Sequence, residues 1–215
     1  GVLRVLEARS ETGVVYCGIR WENGHPVLPD PEVRGDVLEH ALMFHMTPSS
    51  PSTMLIDGDV LRDILPLQNR HGADDMGMKI ELAQRCAFDY VDEPLVVKGD
   101  GEDSLGGSRA NSEGRLELLD RYESLYREYP DRVRRVALGH TYLLDAELEL
   151  ERSVWSPRAI RQASRACYHI PGYPLPFVGF LCASLLGRPG RALGGWVYSR
   201  LVLGSDHRGK MTTPK

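Results

Sequence analysis

The stretch HGADDMGMKIELAQRCAFDYVDEPLV, residues 71 to 96, sets an acid pair, a helical pattern and a strand in immediate succession, and constrains the fold more than any other part of the chain. Asp74 and Asp75 stand where the helix begins. Met78 and Leu82, with Cys86 one turn further, recur on one helical face, which leaves Lys79, Glu81 and Arg85 to solvent. Phe88 to Val91 then reads as a short strand that Asp92-Glu93-Pro94 breaks. An acid at a helix start is favoured by the helix dipole, and a carboxylate placed there can meet a substrate as a base.

Upstream, the pattern alternates strands and turns. Residues 2 to 9 suit a short amphipathic helix, stopped by Thr12-Gly13. Val14 to Ile19 is an apolar, β-branched run of the kind buried on both faces of a sheet, and Glu22-Asn23-Gly24 is turn chemistry that returns the chain as a shorter strand at Val27 and Leu28. Prolines at 29, 31, 48 and 51 flank one helix over Val37 to Phe44. Ser52 to Ile56 is predicted as a central strand. Asp57-Gly58-Asp59 has the look of a metal or phosphate motif, but Asp-Gly before a helical pattern is more often a turn, with Asp59 as N-cap.

Downstream, KGDGEDSLGGS at 98 to 108 is a glycine-rich acidic loop, either a cover for a site or a solvated connector. From about Asn111 only helical spacing is found. One pattern runs from Leu116 to Tyr129 and a second from Arg132 to Arg152, together suggesting an antiparallel hairpin; Ser156-Pro157 opens a third through Ala159, Ala163 and Ala166. PFVGFLCASLLG is too short to span a bilayer. Arg188, Arg191 and Arg200 interleave with Leu193, Trp196 and Leu201, which is compatible with a helix lying on an anionic membrane surface and equally with one packed on its own domain. Residues 205 to 215 read as a disordered tail.

The totals narrow the function classes. With 215 residues and 42% hydrophobic content the chain can bury a sizeable core, and 30 acids against 26 bases leave no basic footprint for nucleic acid. Four dispersed cysteines suggest neither a zinc site nor a disulfide framework, and favour a reducing, cytoplasmic setting. The chain opens on Gly1 in what reads as the end of a helix, and so as a piece of a longer protein.

The segment from about Val14 to Ser104 resembles the second half of the catalytic domain of inverting family-two glycosyltransferases, which have the GT-A fold. VVYCGIRWENGHPV is similar to that family's strand and hairpin after the nucleotide-binding half, and SPSTMLIDGDVL to its strand before the acceptor-side helix. DDMGMKIELAQRCAFDYVDEPLV is similar to its acidic pair, helix and strand, and is the most specific match. The resemblance implies a partial, Rossmann-like GT-A sheet over residues 1 to 108, followed by a helical region at 109 to 204. It implies that Asp75 is the catalytic base, with Asp74, standing where the family usually has Glu, orienting the acceptor. Ser52, Thr53, Asp100 and Asp103 would border the substrate. The expected partners are a nucleotide-sugar donor and a glycan, lipid-linked or other hydroxyl acceptor; the arginine pattern at 188 to 200, apart from the resemblance, is compatible with a membrane surface and with a peripheral location at the inner face of the cell membrane. The full-length enzyme would carry a divalent cation, Mg or Mn, on an Asp-x-Asp. That motif would precede Gly1, so this chain would hold no metal site of its own and be inactive alone. The family often has a histidine after the P-L-V strand, and Gly101 stands there, with Glu102 beside it.

Two other readings compete. The helical half has a helix-turn-helix rhythm without a fixed repeat, which allows a non-catalytic interaction module on a degenerate α/β scaffold. A carboxylate-pair hydrolase suffers because adjacent helical residues point about 100° apart and make no two-carboxylate cleft. An acid pair at a helix start can also be no more than a favourable charge pair.

Overall fold

The computed structural model describes residues 11–67, 72–99, 108–170, 172 and 175–198. The helix expected at 2 to 9 and the tail at 205 to 215 lie outside them. The architecture is mixed α/β followed by helices, divided into two compact units, Gly1–Ala137 and Leu138–Lys215.

The first unit is built around β1 (Thr12–Trp21). Val14, Val15 and Tyr16 are fully buried and Cys17 and Ile19 nearly so, because this strand is covered on both faces. Its turn at Glu22-Asn23-Gly24 forms as the sequence suggests, with Gly24 at φ 85°, and leads into β2 (Pro26–Val27), antiparallel with Ile19 opposite Val27. At the other end of the same strand, Val14 to Tyr16 pair antiparallel with β3 (Met54–Ile56). A parallel partner, β4 (Ala87–Lys98), follows β1 along its whole length.

Three expectations change here. The segment Ser52 to Ile56 is not the central strand. Pro51 supplies no backbone donor, and Ser50 and Thr53 cap one another across a 3₁₀ turn (Pro51–Thr53), so only three residues remain for a flanking strand and β1 takes the centre. The strand after α1 (Leu38–Leu42), α2 (Gly58–Asp63) and α3 (Asp74–Ala83) does not stop at Pro94. Its register jumps from Cys17 opposite Val91 to Gly18 opposite Pro94, so the proline falls at a bulge, where its missing N–H breaks no regular ladder. The cap of α2 is Asp57 rather than Asp59. Asp57 Oδ1 accepts from the backbone N–H groups of Asp59 (2.8 Å) and Val60 (3.3 Å), whereas Asp59 pairs with Arg62.

The loop before α1 is fastened to β4. Arg34 donates to both oxygens of buried Asp89, with Nε 2.9 Å from Oδ1 and Nη2 3.2 Å from Oδ2, and Gly35 exchanges two backbone hydrogen bonds with Phe88. The first helical pattern of the carboxy-terminal half breaks into α4 (Arg109–Arg121) and α5 (Glu123–Tyr126). Their tyrosines turn toward the sheet unit: Tyr122 donates to Glu81, and Tyr126 to the carbonyl of Leu42 at 2.6 Å. The division into units therefore comes later than the change of pattern near 108, within α6 (Asp131–Arg152).

The second unit joins the rest of α6 to α7 (Pro157–His169), α8 (Leu175–Leu185) and α9 (Gly187–Tyr198). As expected, Ser156 caps α7, accepting from Ala159 N–H, and Pro157 takes the first helical position. Among the described residues no helix is long and apolar enough to cross a membrane.

Candidate active site

The acid pair lies in the first turn of α3, as its sequence position suggests. Asp74 Oδ2 accepts from Gly72 N–H at 3.2 Å and so belongs to the entry of the helix. Asp75 faces Lys79 one turn later, with Oδ2 3.3 Å from Nζ, and its side chain keeps a third of its surface open. Lys79 itself is buried, at 7% exposure, and also donates to the carbonyl of Ser49 at 2.9 Å.

This corrects the solvent-facing position expected for Lys79. Met78, Lys79 and Ile80 are all buried, so α3 is covered over a wider arc than one apolar stripe requires. Burial pushes the Lys79 ammonium below its ordinary pKa, the attraction of Asp75 opposes that, and nearby Arg115 adds to the lowering. A carboxylate bonded through one oxygen to a buried ammonium is fixed in orientation. Arg115 is placed by a 3.0 Å bond to Asn111 Oδ1 and by stacking over Phe44, so α4 brings a second cation toward the helix start.

Ser49 ties this pair to the loop that carries the other expected residues. Thr53 is buried, and its hydroxyl is used within the turn: it accepts from Ser50 N–H at 2.9 Å and lies within donating distance of the Ser50 (2.9 Å) and Pro48 (3.3 Å) carbonyls. It shapes the loop. Ser52 is exposed, with its hydroxyl 3.1 Å from that of Ser50, and is the residue of the two open to a ligand. Asp100, Glu102 and Asp103 lie outside the described residues, so the acidic loop is not placed against Asp75.

The loop also fixes the level of the site on the sheet. Cys17 Sγ lies 3.6 Å from the carbonyl of Thr53, so the 48 to 53 loop sits beside the second half of β1, and α3 starts next to it. A connection of three residues then turns α3 back into the first residue of β4. The acid pair is thus set beside the middle of the parallel pair β1 and β4, away from their amino ends. A cavity of about 890 Å³, with Glu11, Asp36, Asp57, Arg85 and Cys86 in its wall, opens at the amino ends of these strands. The length of α3, about 15 Å, separates it from Asp74. Its one candidate nucleophile, Cys86, has a thiol that burial pushes up in pKa, away from the reactive thiolate.

The described residues around Asp75 do not fit a divalent cation. An ammonium already sits on its carboxylate, and no group of three metal-ligating side chains occurs among the described residues. No family model matches the chain, and no curated protein or solved structure matches it. Sequence reasoning missed Lys79, Ser49 and Arg115. For Lys79 a signal was present, since an acid and a lysine four residues apart on a helix face each other.

Proposed function

We propose that this chain is the acceptor-side part of an inverting nucleotide-sugar glycosyltransferase of GT-A type, with Asp75 as general base. The observation that carries the reading is Asp75 itself: a part-exposed carboxylate at the start of α3, held through one oxygen by buried Lys79 beside the loop that carries Ser52. Its flanks carry the resemblance to family-two enzymes described above.

In this mechanism the acceptor hydroxyl meets Asp75, which removes the proton as the hydroxyl oxygen attacks the anomeric carbon of the donor. The new glycosidic bond forms on the face opposite the leaving group. The nucleoside diphosphate departs with the bonding electron pair, so the configuration inverts. The salt bridge to Lys79 holds the base in register during the transfer, and Ser52 lies on the loop that borders the acceptor. A divalent cation on the donor half would neutralise the diphosphate.

The test is a nucleotide-release assay with a panel of nucleotide sugars on a protein that includes the preceding donor-binding segment. Asp75→Asn should lower turnover by roughly 10²–10⁴-fold with an unchanged circular dichroism spectrum. Full turnover in that variant would rule out Asp75 as the base. An upstream reading frame with no strand-rich Asp-x-Asp segment would instead favour the interaction-module reading.

A further inference from the structure

Two helix junctions of the second unit expose large apolar side chains side by side. Between α6 and α7, Val154 and Trp155 are 63% and 54% exposed; between α8 and α9, Leu185 and Leu186 are 55% and 66% exposed. The junctions are bonded to each other, since Trp155 Nε1 donates to the Leu185 carbonyl at 3.1 Å and Arg188 N–H to the Val154 carbonyl at 2.7 Å. Gly187 permits that contact, because at φ 69° a Cβ would stand 2.2 Å from the Val154 oxygen.

We infer that this four-residue tip docks the protein on an anionic phospholipid surface. The indole N–H of Trp155 is already satisfied within the protein, so the ring can leave water without orphaning a donor. Behind the tip, Phe177, Val178, Phe180 and Leu181 of α8 are only half-buried, so the apolar surface continues along that helix.

Charge favours the same occupant. Residues 138 to 215 carry ten lysines and arginines against five acids, a formal +5, within a chain of net −4. Of those acids, Asp145 and Glu149 are paired with Arg158, and Glu151 with Arg191. Such a basic excess is attracted to anionic headgroups. Two arginines of α9 bond within the unit itself. Arg188 bonds the carbonyls of Leu150 and Glu151 in the open last turn of α6, and Arg191 that of Glu147 one turn earlier.

The test is cosedimentation of the full chain with vesicles of phosphatidylcholine alone and with roughly one third phosphatidylglycerol. Binding to the anionic vesicles that weakens with added salt is expected. Leu185→Glu with Leu186→Glu should reduce it about tenfold or more. A second readout leaves the tip intact: with Trp21→Phe and Trp196→Phe in place, Trp155 emission should shift to the blue on anionic vesicles. Failure to bind anionic vesicles, equal binding to neutral ones, undiminished binding of the double variant, unshifted Trp155 emission, or a concentration-dependent dimer that buries the tip would each overturn the proposal.

Discussion

Lys79 gives the acid pair a property that charge at a helix start does not have. An aspartate in the first turn is stabilised by the dipole whichever way it points, but Asp75 is bonded to a buried ammonium that also holds the Ser49 carbonyl. Replacing Lys79 by methionine keeps most of the volume and removes both bonds. Asp75 can take water in place of the lost partner, because a third of its side chain is open, whereas the Ser49 carbonyl loses its donor. The expected loss of stability is roughly 1–2 kcal/mol, measured by urea unfolding. If Asp75 is the base, its lost orientation should lower kcat more than about tenfold with little change in KM for the donor. A variant that unfolds more easily yet turns over normally would reduce the pair to a structural contact.

The glycines of the two units show how an element responds to its neighbours. Gly18 lies at the bulge of β1 against β4, where an added Cβ would stand 2.8 Å from the Val27 carbonyl, 3.2 Å from the Glu93 carbonyl and 3.2 Å from Pro94 Cα. These are backbone atoms of two partner strands and cannot move singly, so Gly18→Ala should destabilise by roughly 1–3 kcal/mol. On α6, a Cβ at Gly139 would meet both Cδ1 (2.5 Å) and Cγ1 (2.6 Å) of Ile170 and stand 3.4 Å from the Ala166 carbonyl. That side chain is buried and β-branched, so it cannot turn clear at χ1; the clash outweighs the about 1 kcal/mol that alanine gains over glycine in a helix, and Gly139→Ala should also lower the midpoint in the same denaturant melts. The bulge that makes Gly18 sensitive is also where the sequence misleads. The strand β1, its Asn-Gly turn and the Ser-Pro start of α7 are legible because each depends on local chemistry. The continuation of β4 past Pro94 is not, since a proline forbids a regular ladder but is tolerated at a bulge, and the bulge is set by the partner strand. Likewise, periodicity shows that Lys79 is one turn from Asp75 but cannot show that the 48 to 53 loop covers it.

For the whole molecule, burial of ionisable groups sets how stability depends on alkaline pH. Burial raises the phenols of Tyr16 and Tyr126 above their ordinary 10.0, with Asp30, Tyr90 and Asp89 adding to the effect on Tyr16; burial also raises the thiols of Cys17, Cys86 and Cys167 above 9.0. In each case the folded state keeps a proton that the unfolded chain releases. The stabilisation is therefore fully present below the unfolded value and is lost progressively as pH rises from 9 for the thiols, and from 10 for the phenols, through their higher folded values. Lys79 acts the other way. Its folded value is lowered from 10.5, so the unfolded state holds the extra proton, and raising the pH toward 10.5 relieves the burial of its charge. Tyr129 joins the other two phenols, raised above 10.0 by burial with Asp36, Glu128 and Glu39 adding; six groups oppose one, and the midpoint of urea unfolding should fall steadily from pH 9 upward. Two variants separate the contributions. Tyr126→Phe leaves the Leu42 carbonyl without its donor and should lose about 1–2 kcal/mol at neutral pH, but its decline above pH 10 should be flatter than that of the parent chain, because no phenol remains there to ionise. Lys79→Met should decline more steeply, because the compensating release is gone. Parallel profiles for all three proteins would mean that these groups titrate alike in the folded and unfolded chains.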